Sequence, residues 1–115
     1  MPNPVVHFEV TGKDGKMLQD FYQKAFDWQM QPAGPDYAMA NTGDGQKIAG
    51  GIGKAQMGEG CATFYIEVPD LDASLKKIEA LGGRTIMPAY DVPGGPTIAV
   101  FTDPEGHVIG LVKAR

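Results

Sequence analysis

The most constraining feature of this 115-residue sequence is that its pattern of elements occurs twice. In "VVHFEV" (residues 5–10), Val6, Phe8 and Val10 point one way, and Val5, His7 and Glu9 point the other. That alternation predicts a half-buried strand. After a glycine-containing loop, "KMLQDFYQKAFDW" places Leu18, Phe21, Tyr22, Ala25 and Phe26 at helical spacing. Three short segments follow, at 29–32, 37–42 and 47–54, punctuated by Pro35 and by Gly43 and Gly45. They read as an antiparallel meander.

The second half starts the series again. "ATFYIEV" alternates Phe64, Ile66 and Val68 with Thr63, Tyr65 and Glu67. Asp70 is placed to cap the helix "LDASLKKIEALGG", in which Leu71, Leu75, Ile78 and Leu81 share a face. Gly82 and Gly83 end it, because glycine takes the left-handed conformation without a side-chain clash. Strands are predicted at 85–92, 97–102 and 108–113. The reading is an α+β fold of two tandem βαβββ modules in a single domain, residues 1–115. Module one spans 4–55 and module two 61–113. If each helix covers the apolar face of its own strands, the faces carrying His7/Glu9 and Thr63/Tyr65/Glu67 are left to line a cavity within a curved sheet.

Composition narrows the partners. A net charge of −4 and the lack of a basic stripe argue against nucleic acid. No apolar run approaches the roughly 20 residues of a membrane-spanning helix. "MPNPVVHFEV" shows no basic segment followed by an apolar one, so no signal peptide and a cytoplasmic location are expected. Cys61 is the only cysteine, which excludes an intrachain disulfide and a cysteine-based zinc cluster. A small buried residue at a strand start is the expected role for it, in preference to a nucleophile.

The paired modules, "FYQKAFDW", "YIEVPDLDASLKKIEALGG" and "FTDPEGHVIGL" together resemble the vicinal oxygen chelate superfamily. That superfamily includes glyoxalase I, bleomycin-resistance proteins and extradiol dioxygenases. "FYQKAFDW" is similar to the family pattern F-Y-x-x-x-[LF]-G-[WF], with Asp27 where glycine is common. The resemblance implies a homodimer, some relatives completing their sites with the partner chain. It also implies, in metal-dependent members, four ligand positions: one near the start of each module's first strand, usually histidine, and one in each module's last strand, usually glutamate. On this sequence they fall at Val5 and Thr63, and at Gly110 and near Gly50. His7 is displaced by one strand repeat from Val5. No Asp or Glu occurs between Gln46 and Met57 or after Glu105, so the family's metal site is expected to be absent and no cofactor is expected.

The candidate catalytic residues are His7, Glu9 and Glu67. Neutral imidazole can bind metal or move protons near neutral pH, and the two glutamates occupy matching places in the modules. The bland alternatives are a hydrogen-bonded interior histidine and solvated strand-end carboxylates. The candidate ligand-binding residues are His7, Thr63, Tyr65 and Gly110, with Tyr65 able to stack on a ligand or serve as a core aromatic. His107 is assigned to a turn and Trp28 to packing. "AGGIGKA" (49–55) is not a phosphate loop, because Ile48 stands where a glycine is needed and Ala55 where Ser or Thr would meet magnesium. Its small residues suit a strand that leaves room for a ligand.

Three functions stay open. The first is a glyoxalase/bleomycin-resistance-like protein that binds a small, partly apolar molecule without metal. The second is a lyase, isomerase or dioxygenase using His7 and the glutamates, in which a divalent metal (Zn, Ni, Fe or Mn) would act. The third is a dimeric structural or regulatory module with a vestigial cavity.

Overall fold

The structure, a computed structural model, describes residues 2–43, 48–56 and 58–115. In chain order the elements are β1 (Val5–Gly12), α1 (Gly15–Phe26), β2 (Gln29–Pro32), β3 (Tyr37–Asn41), β4 (Ala49–Lys54), β5 (Ala62–Val68), α2 (Leu71–Ala80), β6 (Arg84–Asp91), β7 (Thr97–Thr102) and β8 (Val108–Lys113). The α+β class and the doubled βαβββ order are therefore as the alternation and helical spacing predict. Gly45 and Lys47, assigned to a turn and a strand start, lie outside the described residues.

The chain forms two compact units. One runs from Val6 to Thr63. The other contains Phe64–Arg115 and takes in the residues up to Val5. The N-terminal residues are tied to the second unit by the Glu67 N–H, which donates to the Pro4 carbonyl at 2.8 Å.

In the first unit the strand order is β2-β3-β4-β1. β1 and β4 are parallel, and the other two pairings are antiparallel. α1 packs on β4, β2 and β3. Its first residue, Gly15, is buried, and a Cβ there would stand 2.5 Å from the Lys54 backbone nitrogen, so only glycine lets the helix start rest on β4. Gln19 Nε2 donates to the Ile52 carbonyl at 2.9 Å. Ala38, Ala40 and the fully buried Ile52 form the helix-side core. Phe8 and Trp28 meet edge to face beside them, and Trp28 stacks on Tyr22. The packing role assigned to Trp28 thus has a partner on each side.

The predicted helical stripe is wider than the face α1 covers. Phe21 is 59% exposed and Phe26 58%, and they pack sideways on Tyr22 instead of facing the sheet. α1 ends at Asp27, whose φ of 61° is left-handed and whose N–H donates to the Gln23 carbonyl. An aspartate therefore takes the left-handed cap conformation that glycine adopts most readily.

The second unit repeats this topology as β5-β8-β7-β6, with β5 and β8 parallel. Its core joins Val68, Leu71, Leu75, Ala99, Phe101 and Leu111, with Ile66, Ile78 and Ile109 packed around them. Each large aliphatic side chain so buried contributes about 1.5–3 kcal/mol. Asp70 caps α2 by accepting from the Ala73 N–H at 3.0 Å. The helix closes with Gly82 at φ 103°, whose N–H donates to the Glu79 carbonyl while that of Gly83 donates to the Ile78 carbonyl. This two-bond closure satisfies carbonyls the helix would otherwise leave open. Leu81, expected on the buried face, is instead the cap residue and 71% exposed.

Before β8, Asp103 organises the turn. Its Oδ1 accepts from the backbone N–H of Glu105 and of His107, and the His107 ring lies 3.0 Å from its Oδ2. The backbone hydrogen bond from His107 is the main reason that the Asp103 carboxyl is held below its usual range. His107 is therefore a turn residue, as assigned. Cys61 departs from expectation, since it is exposed; its backbone carbonyl accepts from the Thr11 N–H at 2.9 Å and its N–H donates to Thr11 Oγ1 at 3.3 Å.

Candidate functional site

In the first unit, register decides what meets His7. β1 pairs with β4 so that His7 lies against Ala49 and Glu9 against Gly51, and β3 sets Tyr37 against Gly53 and Met39 against Gly51. Alternation then puts His7, Glu9, Tyr37 and Met39 on one face, opposite Phe8 and Ile52. The glycines of β4 make this face smooth. A Cβ on Gly51 would collide with the Tyr37 hydroxyl, and one on Gly53 would meet the Tyr37 ring at 2.7 Å. The space left by the glycines is therefore filled by this chain's own tyrosine. Gly50 belongs to the other face, where its Cβ would strike the Phe8 ring. The position suggested near Gly50 thus moves by one residue, since only its neighbours face His7.

The Tyr37 backbone is pinned before its ring extends. Asp36 takes a left-handed φ of 62°, and its carbonyl accepts from the Lys54 N–H at 2.8 Å. The Ala33 N–H donates to the Tyr37 carbonyl at 3.0 Å. From there Tyr37 Oη donates to Glu9 Oε2 at 3.0 Å and lies 3.3 Å from His7 Nε2. With the phenol proton directed to Glu9, the imidazole must donate through Nε2, which fixes its tautomer by the network. Burial lowers the His7 pKa from its ordinary value, keeping the ring neutral at physiological pH. The result is a polarised row, imidazole to phenol to carboxylate, in which each group orients the next.

A pH effect follows from the His7 shift. The unfolded chain binds the proton first as pH falls through about 6.5, so stability is lost on acidification below that value. Thermal melts should therefore fall between pH about 7 and 5 in the wild type, and His7→Gln should flatten that part of the curve. An unchanged pH slope in the variant would show that His7 is not the titrating group.

In the second unit Tyr65 lies against Gly110 across β5 and β8, and a Cβ on Gly110 would enter the Tyr65 ring. Glu67 lies against Val112, as Glu9 lies against Gly51, so the two glutamates hold equivalent places. The surroundings differ. Ile98 pairs with Val112 where Met39 pairs with Gly51, so no smooth β4-like strand lies beside Glu67. Thr63 is half-buried in β5, and Val5 is exposed. Among the described residues, the array of histidine, tyrosine and glutamate belongs to the first module.

Tyr37 was not among the residues read from sequence. The signal for it is Gly51 and Gly53, two residues apart in a strand and therefore on one face, with a tyrosine on the neighbouring strand. Elsewhere in the same unit, Asp27, Gln29, Asn41 and Gly43 line a shallow depression of about 130 Å³, below the range of pockets that hold drug-sized ligands.

The four metal-ligand positions implied by the family resemblance are not filled by donors. Gly51 and Gly110 have no side chain, and a tyrosine occupies the space beside each. Among the described residues, no group of three or more His, Cys, Asp or Glu side chains is arranged to hold a metal ion. The residues present do not fit the family's ion.

Comparison with known proteins agrees with this architecture. Residues 5–111 match the model of the Glyoxalase/Bleomycin resistance protein/Dioxygenase superfamily. A Mycobacterium tuberculosis protein named as a glyoxylase, CFP32, is 32% identical over 112 residues, covering 89% of this chain and 42% of its own length. The anthracycline biosynthesis protein DnrV of Streptomyces peucetius is 30% identical over 129 residues, covering 96% and 46%. The chain therefore spans less than half the length of these curated relatives. Among solved structures, methylmalonyl-CoA epimerase from M. tuberculosis superposes with a TM-score of 0.72 at 16% identity, covering 96% of this chain and 87% of that one. The Mn(II)-bound glyoxalase of Novosphingobium aromaticivorans gives 0.68 at 16%, covering 95% and 38%. At such identities these two likenesses establish the fold. With the family model matching nearly its whole length, the chain belongs to the Glyoxalase/Bleomycin resistance protein/Dioxygenase superfamily.

Proposed function

We propose that this chain binds a small, partly apolar molecule on the His7–Tyr37–Glu9 face and does so without the metal ion used by many of its relatives. The observation that carries the reading is Tyr37, whose ring lies over Gly51 and Gly53 and whose hydroxyl joins Glu9 and His7. A tyrosine offers apolar area and a hydrogen-bonding tip with few rotatable bonds, which suits ligand recognition. Met39, a residue 37% exposed on the same face, adds adaptable apolar surface. Within the second unit, Tyr65 over Gly110 is a separate candidate contact, and Thr63 another within its own unit. The names of the curated relatives, a glyoxylase and an anthracycline biosynthesis protein, are consistent with small-molecule chemistry.

The test is a thermal-shift screen of small organic molecules, including planar aromatic ones, against the wild type and Tyr37→Phe. A ligand that binds only the native state raises apparent stability by about 2.7 kcal/mol at a hundredfold excess over Kd. Hits that shift the wild type and lose most of that shift in Tyr37→Phe would support the reading. Hits indifferent to Tyr37 and His7 would place binding elsewhere and refute it.

A further inference from the structure

Helix α1 meets its sheet through Gly15, which rests on β4, and through Gln19, which donates to the Ile52 carbonyl. The opposite side of the helix faces solvent, and it is not polar. Met17 is 61% exposed and Phe21 59%, and Ala25 follows at the same four-residue spacing, also exposed. Side chains four apart form a ridge along a helix surface, so these three make an apolar ridge. The ridge beside it, Lys16, Asp20 and Lys24, alternates in sign, and Lys16 Nζ lies 3.1 Å from Asp20 Oδ1. We infer that this side of α1 is a docking surface for a second copy of the chain, the two helices packing antiparallel across a two-fold axis near Phe21.

The order of residues along the two ridges selects that occupant. A two-fold contact joins the same patch on both copies, so the patch must complement itself. Reversing one helix about Phe21 sets Phe21 against Phe21 and Met17 against Ala25 of the other copy, a long side chain over a short one. The same operation keeps the charged ridges on one flank and brings Asp20 beside Lys24 of the other copy, twice by symmetry. Alternating charge suits a partner that carries the same alternation in reverse, which an antiparallel second copy does. The Lys16 pairing with Asp20 is exposed and does not oppose this, since a carboxylate has two oxygens and can accept from both lysines. The helix has 12 residues and is about 18 Å long, so the contact is at the small end for protein interfaces. It gives a reversible dimer, half formed at on the order of 100 µM.

Analytical ultracentrifugation of the full chain at low ionic strength, from about 10 µM to about 1 mM, tests it. Circular dichroism confirms that each variant is folded, which is expected because the altered side chains lie on the surface of a single copy. The wild-type mass should rise toward that of a dimer across this range. Phe21→Lys should weaken association at least about tenfold, and Ala25→Arg, which fills the space opposite Met17, should do so independently. Asp20→Lys should weaken it about threefold to tenfold by facing Lys24 with a like charge. Adding Lys24→Glu to Asp20→Lys should restore the wild-type value within about twofold, because both cross-copy pairs return with their signs exchanged. A monomer mass up to about 1 mM would overturn the inference. A dimer indifferent to both Phe21→Lys and Ala25→Arg would overturn it by placing the interface elsewhere. An Asp20→Lys variant that associates like the wild type, or one whose loss Lys24→Glu does not repair, would overturn the antiparallel pairing and the assignment with it.

Discussion

Gly51→Ala is expected to destabilise this protein by about 2 kcal/mol, although alanine ordinarily gains about 0.5–1 kcal/mol over glycine in a strand interior. The sign is set by Tyr37. An alanine Cβ would stand where its hydroxyl now lies, so the ring must swing away and give up its hydrogen bond to Glu9. A bond to a charged acceptor is worth about 1.5–3 kcal/mol, and its loss outweighs the backbone gain. In a Tyr37→Ala background that conflict is gone, and the same substitution should become neutral or slightly stabilising. Denaturant unfolding of the four proteins of this double-mutant cycle measures the coupling. Additive effects of the two substitutions would mean that the ring does not occupy the glycine's space.

Gly110→Glu is expected to cost about 1–3 kcal/mol, through overpacking against the Tyr65 ring and an unpaired carboxylate. It should not create a tight metal site, since Val5 and Thr63 supply no imidazole and protein zinc sites use three or four ligands. Adding Tyr65→Ala should recover part of the lost stability, because the acidic side chain then has room. Denaturant unfolding checks the stabilities, and calorimetric titration with zinc checks the metal affinity. Tight zinc binding by the single variant would show that donors are already present at that site.

How much of this was legible in the sequence depends on distance along the chain. Strand alternation in "VVHFEV" and "ATFYIEV", the Asp70 cap and the Gly82–Gly83 closure are local, and the structure repeats them nearly residue for residue. The row of His7, Tyr37 and Glu9 is not local. It needs the registers of β1 on β4 and of β3 on β4, which no short window contains, so His7 and Glu9 were visible as candidates while Tyr37 was not. The same limit explains the small strand 49–54. Its glycines announce that something approaches closely, and only the fold shows that the visitors are Phe8 on one face and Tyr37 on the other. Phe21, Phe26 and Leu81 show a different limit: helical spacing marks a stripe, while the extent of burial is set by the sheet beneath it.

On the proposed reading, the first module binds an organic molecule through its tyrosine-centred array in place of a metal ion. Calorimetric titration of chelator-stripped wild-type protein with zinc, nickel and manganese tests it most directly. The expected result is no tight stoichiometric binding of any of the three. Tight binding of one equivalent, lost in His7→Ala, would contradict the claim by making His7 a metal ligand.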